Sequence, residues 1–188
     1  MGPFRAPHLG PRTIHVKKRL ILILLFALLS LGLDQASKIW ARTSLRGQAP
    51  VRVVDNYLMF EYHENPGMAF GIGRNLPGRR FILVGVGILV LIIVWRIVRQ
   101  VEKRQRLADI AYGLVAGGAV GNIIDRLWLG RVIDFIVMHW KHKHSWPAYN
   151  IADAVLVVGV GLLLIAIMRE PQKVEVKDTK AQKKRKGR

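Results

Sequence analysis

Cysteine is absent from the 188 residues. That excludes disulfides, thiolate metal sites, a cysteine nucleophile and any thioether-linked lipid on the chain itself. Acid is scarce: 12 Asp and Glu face 30 Lys and Arg, for a formal net charge of +18. An excess of this size suits nucleic acid or an anionic membrane. Nucleic acid is excluded by pattern, because no aromatic residues are interleaved with basic strands. The basic residues flank apolar runs instead of lining one face. What the chain has in abundance is apolar sequence, 51% of its residues, and the partner it implies is membrane.

Four segments can cross a bilayer: Leu20 to Leu33 continuing to Ala41, Phe81 to Val98, the glycine-rich Leu107 to Leu127, and Ile151 to Met168. A spanning helix needs roughly 20 residues, so the first fits with Asp34 and Lys38 near the interface. Basic residues set the orientation. The amino-terminal tail carries Arg5, Arg12, Lys17, Lys18 and Arg19 without an acid, and the carboxyl tail ends Lys183-Lys184-Arg185-Lys186-Gly187-Arg188. The loop between the second and third spans carries Arg99, Lys103, Arg104 and Arg106 against Glu102, whereas residues 43–78 are balanced in charge. Both termini are therefore expected in the cytoplasm. The first span resembles a signal peptide, but no Ala-x-Ala site follows and the helical pattern runs on through Ile39-Trp40-Ala41, so it is read as retained.

The division that follows is a basic cytoplasmic tail over 1–19, a four-span membrane domain over 20–168 and a second basic tail over 169–188. Both tails read as disordered and suited to anionic lipid. Outer segments occupy about 43–78 and 128–150. In the first, Val51–Val54 and Tyr57–His63 read as strands around a turn at Asp55-Asn56, followed by the turn signal Asn65-Pro66-Gly67. The fold class is thus mainly α, four transmembrane helices with a small extracytoplasmic β-sheet. The second outer segment reads as partly helical and interfacial, with Trp128, Trp140 and Trp146 suited to headgroups. Its amphipathic stretch between Trp128 and His144 is a candidate lid.

This topology gathers Asp34, Lys38, Asn122, Asp125, Arg126 and Asp153 near one surface. Ionisable groups at such depth are costly and read by default as functional. Asp34 and Lys38, four apart, suit a helical ion pair or a hold on lipid or substrate backbone. Asp125 and Arg126 suit a buried network locking helix ends, with Arg126 and Asn122 also placed to donate to carbonyls. Asp109, at the opposite surface, suits the helix dipole. His139, His142 and His144 match no zinc spacing, so no metal and no cofactor is expected. Asp134 and Asp153 are nineteen residues apart, too far for one helix face. They are either two separate helix caps or, where the fold brings them together, a carboxylate pair sharing one proton and activating water.

Five motifs then occur in order: Asp34-Gln35-x-x-Lys38, Asn65-x-Gly67-x-Ala69-Phe70, Gly118-x-x-Gly121-Asn122-x-x-Asp125-Arg126, Val132-x-Asp134-Phe135 and Asn150-x-Ala152-Asp153. Together they closely resemble signal peptidase II, the bacterial prolipoprotein signal peptidase, over about residues 20 to 168. Pro66 and Tyr149 are small departures from the family pattern. The resemblance implies an aspartyl endopeptidase of the inner membrane, its active site near the outer face. Its substrate would be a prolipoprotein whose lipobox cysteine already carries diacylglycerol, cut just before that cysteine. The catalytic pair falls on Asp134 and Asp153. Supporting or substrate-binding positions fall on Asp34, Lys38, Asn65, Gly67, Asn122, Asp125, Arg126, Asn150 and Ala152. The expected partners are this substrate and membrane phospholipid, with the chain a monomer. Two rival readings are a Ser–Lys protease using Lys38 with Ser37 or Ser44, and a proton-coupled transporter using buried carboxylates.

Overall fold

The computed structural model describes residues 11–67, 77–100, 106–141 and 144–169. Residues 1–10 and most of the carboxyl tail, Ala69-Phe70 of the second motif, and His142 lie outside the described residues.

Four helices, α1 (Pro11–Ser44), α2 (Arg79–Gln100), α3 (Arg106–Leu129) and α4 (Ile151–Met168), are each long and apolar enough to cross a membrane. Four strands, β1 (Val51–Val54), β2 (Leu58–Asn65), β3 (Val132–Trp140) and β4 (His144–Ser145), form one antiparallel sheet in the order β1-β2-β3-β4. The sheet sits at the end of the bundle where α1 and α3 finish and α2 and α4 begin.

The third helix is the centre of the bundle. It packs against α1, α2 and α4, and 56% of its most apolar stretch is buried, against 17–22% in the other three. Small residues allow this. A Cβ on Gly113 would lie 2.7 Å from the Ile23 carbonyl oxygen of α1, and one on Gly118 would lie 2.7 Å from the Ala152 carbonyl oxygen of α4. Without those side chains the helix backbones approach closely, the packing on which membrane bundles rely. The outward faces carry Leu24, Leu28, Ile88, Ile92, Val157 and Leu164 exposed. A contiguous apolar belt of this kind is the lipid-facing surface of a membrane protein.

At the far end from the sheet, Arg19 grips Asp109 with Nε at 2.9 and 3.1 Å from its two oxygens. The dipole account of Asp109 is therefore incomplete, since α1 supplies a direct partner. Helix α1 begins at Pro11, so residues 11–19, read above as disordered tail, are its first turns.

The hairpin of β1 and β2 turns at Asn56, whose φ of +67° suits asparagine. The second outer segment departs from expectation. Residues 132–140 form a strand, not an interfacial helix. Val132, Ile133, Phe135, Ile136 and Val137 are β-branched or aromatic, types that favour a pleated surface. All but Phe135 find ladder partners on β2, while the Phe135 N–H donates to the Tyr149 carbonyl and Ile136 bridges to Tyr149. Gly130, at φ +73°, ends α3 with its N–H on the Arg126 carbonyl and turns the chain into that strand.

Candidate active site

Strand alternation gives the sheet two unlike faces. Phe60, Tyr62, Ile133 and Phe135 turn toward Ala41 of α1 and Leu45 just past its end, where Trp40 stacks edge-on against Phe60 and Phe135. Met59, Glu61, His63, Asn65, Val132 and Asp134 turn the other way and line an open groove of about 770 Å³. Asn122, Arg126 and Asp153 form its helical wall, and Trp146 to Tyr149 its opposite rim.

The backbone delivers the two carboxylates to this groove from opposite directions. Asp134 lies opposite His63 on β2. The chain after β4 returns along β3, with the Tyr149 N–H and carbonyl paired to Ile136 at 3.1 and 2.9 Å. That bridge sets Asn150 beside Asp134 and starts α4 there. Asn150 is the N-cap of α4, its side-chain oxygen accepting from the Asp153 N–H at 3.0 Å while Asp153 returns a bond to the Asn150 N–H. The Asn150 amide nitrogen donates to Asp134 Oδ1 at 2.7 Å and to the Ile133 carbonyl at 3.2 Å. One buried asparagine thus fixes both aspartates. The cap reading of Asp153 and the pair reading hold at once, while Asp134 is on a strand and caps nothing.

Each carboxylate has a second amide. Asn65 Nδ2 donates to Asp134 Oδ2 at 3.0 Å, and its own oxygen accepts from the Gly67 N–H at 3.1 Å, which settles which end of the amide faces the acid. Asn122 Nδ2 donates to Asp153 Oδ1 at 2.9 Å. Asp134 is 2% exposed. Burial raises its pKa, and the like charge of Asp153 raises it further. The Asn65 and Asn150 hydrogen bonds and Lys38 lower it again, and the balance sits at about 6. Asp153 stands in the first turn of α4, where the helix dipole favours negative charge.

Behind the pair lies a buried polar layer. Lys38 Nζ reaches Asp34 Oδ2 at 2.8 Å, Asp125 Oδ2 at 3.0 Å and Asn122 Oδ1 at 3.0 Å, which uses all three ammonium donors. Asp34 also accepts the Ala152 N–H of α4 at 2.9 Å, and Asp125 accepts from Gln35 and from the Ile133 N–H at 3.2 and 3.3 Å. A Cβ at Gly121 would run into the Asp34 carboxylate. The direct partner of Asp125 is Lys38 rather than Arg126. Arg126 donates to the Asn122 carbonyl at 3.0 Å, lines the groove and lies within electrostatic reach of Asp153, Asp134 and Asp125.

All eleven residues singled out from sequence converge on the groove or on the layer beneath it. Gln35 of the first motif donates to Asp34 and Asp125, and Glu61 and His63, which belong to no motif, line the groove and pair at 3.1 Å. Their signal was the period-two spacing Met59, Glu61, His63, Asn65. His139 is buried in β3 and His144 opens β4.

Comparison with known proteins meets this geometry. A family profile described as Signal peptidase (SPase) II matches residues 26–169. The chain belongs to the signal peptidase II family. It is an aspartic-type protease and a multi-pass bacterial membrane protein. The lipoprotein signal peptidase of Syntrophotalea carbinolica is 39% identical over 150 residues, covering 79% of this chain and 92% of that protein. That of Geobacter metallireducens is 38% identical over 144 residues, covering 77% and 88%. A solved bacterial membrane enzyme structure obtained by the in meso method at 2.3 Å resolution superposes with a TM-score of 0.69 at 29% identity, over 83% of this chain and 93% of that one. Family membership removes the transporter reading. The Ser–Lys reading fails on geometry, because Lys38 has no serine partner and the Ser37 hydroxyl donates to the Asp34 carbonyl at 2.8 Å.

Proposed function

We propose that this chain removes the signal peptide from lipoprotein precursors whose lipobox cysteine already carries diacylglycerol, breaking the peptide bond just before that cysteine. The observation that carries the reading is Asn150, which bonds Asp134 and Asp153 at the floor of the groove. Two carboxylates so placed do not both ionise readily, and the pair titrates as a unit.

Asp134, with its pKa raised, holds the shared proton and polarises the scissile carbonyl. Asp153, at the start of α4, takes a proton from the attacking water. The Arg126 guanidinium is placed to donate to a substrate carbonyl, and the buried Lys38 layer keeps Asn122 and α4 in position. Gly67, through its turn on Asn65, does the same for Asp134. A general acid–base pair of this kind contributes roughly 10²–10⁴ in rate.

The sheet end faces outward by the charge bias of the flanking segments, with both termini cytoplasmic and residues 20–168 forming the catalytic membrane domain. There the acyl chains of the substrate hold its cysteine at groove depth. The protein acts as a monomer among membrane phospholipids. The test is cleavage of a diacylglyceryl-modified precursor by purified protein, with a chelator present, beside Asp134→Asn and Asp153→Asn. Near-complete loss is expected in each variant; near-normal turnover in either sinks the assignment.

A further inference from the structure

A second charge cluster adjoins the groove, and Glu64 lines both. Tyr62 and Glu64 of β2 and Arg131, just before β3, meet Arg42 in the last turn of α1 and Arg46 two residues past its end. Glu64 is the carboxylate they share. Its Oε1 accepts from the Tyr62 hydroxyl at 3.0 Å and lies 3.7 Å from Arg46, while Oε2 pairs with Arg131. Among the described residues no carboxylate pairs with Arg42. Three guanidiniums against one carboxylate leave two positive charges in surplus around a recess of about 90 Å³. The arginines stay accessible, with Arg46 63% and Arg131 48% exposed.

The recess continues into the membrane. Arg42 also lines a crevice of about 290 Å³ between α1 and α3, walled mainly by Ile39, Ile124, Trp128 and Leu129 and reaching Gln35, Lys38 and Asp125 of the buried layer. Ile39 and Trp128 face outward, so the crevice opens to lipid. A planar guanidinium binds phosphate oxygens bidentately, and basic recesses above apolar interhelical clefts suit anionic headgroups. A zwitterionic headgroup would bring an ammonium beside the surplus arginines and be repelled.

We propose that Arg42, Arg46 and Arg131 bind the phosphodiester headgroup of an anionic phospholipid, with one of its acyl chains in the crevice between α1 and α3. This lipid is distinct from the substrate. A diacylglyceryl thioether carries no phosphate, and none of the three arginines lines the groove that holds Asp134. Such a lipid would brace the end of α1 against the strand that presents Asn65.

The test is native mass spectrometry of the purified chain released from detergent, with phosphatidylglycerol, phosphatidylcholine and inorganic phosphate as probes. Phosphatidylglycerol should bind about tenfold or more tighter than phosphatidylcholine, and Arg42→Gln and Arg46→Gln should each weaken it about fivefold. Glu64→Gln removes the competing carboxylate and should tighten phosphatidylglycerol binding, a gain that misfolding cannot mimic. Equal binding of the two lipids, arginine variants that bind like the parent, or no gain in Glu64→Gln would each overturn the proposal. So would displacement of the lipid by inorganic phosphate at equal concentration, which would mark a phosphate site with no use for the acyl chain.

Discussion

Replacing Asp134 by Asn should stabilise the folded chain above pH 6 while removing its activity. Asp134 is buried and faces the charge of Asp153, and its folded-state pKa is lifted from the ordinary 3.8 to about 6. Between those values the folded chain binds a proton that the unfolded chain does not. Stability therefore falls as pH rises through that window and stays low above it. At ~1.4 kcal/mol per pH unit the gap amounts to about 3 kcal/mol. Asn has the same shape and does not titrate, so it escapes this loss. Near pH 4 the parent carboxyl is itself neutral, and the variant should be the less stable by about 1 kcal/mol, because its Nδ2 faces one of the two amide donors that the Asp134 oxygens accept. The balance should then move by about 3 kcal/mol in the variant's favour by pH 8, a shift of several degrees in Tm. With no cysteine for thiol-reactive dyes, the signal is intrinsic fluorescence from the five tryptophans, followed on heating in detergent at each pH. A variant no more stable than the parent at pH 8, or equally stabilised at pH 4 and pH 8, would refute the claim that burial and a like charge dominate at this residue.

Asn65→Ala removes a hydrogen bond that favours the charged form of Asp134. Bonds to charged groups are worth ~1.5–3 kcal/mol, so the basic limb of the kcat/KM–pH profile should move up by about 1–2 pH units; an unmoved or lowered limb counts against the tuning role. Lys38→Met leaves Asp34 and Asp125 buried without their shared cation, and should cost about 3–5 kcal/mol, seen as a lowered unfolding midpoint. A midpoint within a degree or two of the parent would mean the layer beneath the groove is not held by that ammonium.

The spans and the hairpin were legible in the sequence because each rests on a local property, whereas the list of site residues was what the resemblance of the five motifs implied. Apolar runs with basic flanks mark helices that cross a membrane. The turn at Asp55-Asn56 follows from asparagine's tolerance of positive φ, and Asp34 and Lys38 meet because four residues make one helical turn. Motif order could name Asp134 and Asp153, but separation along the chain could not say whether they cap two elements or meet. That was decided by the return of the chain along β3, which pairs Tyr149 with Ile136 and sets Asn150 between the two acids.

Residues 132–140 show the same limit from the other side. Their apolar pattern suits an interfacial helix until β2 supplies ladder partners for the backbone, and cross-strand pairing is a non-local energy that no short window contains. Asp125 chose Lys38 over its neighbour Arg126 for a similar reason, since adjacent side chains on a helix diverge and α1 brings an ammonium to 3.0 Å. The arginine recess joins the end of α1 to β2 and β3, three segments far apart in sequence. Sequence alone determined which residues could bear charge at the membrane surface. Tertiary packing decided which of them share a proton, which share a cation and which stand in surplus, because distance in space sets electrostatic energy and separation along the chain does not.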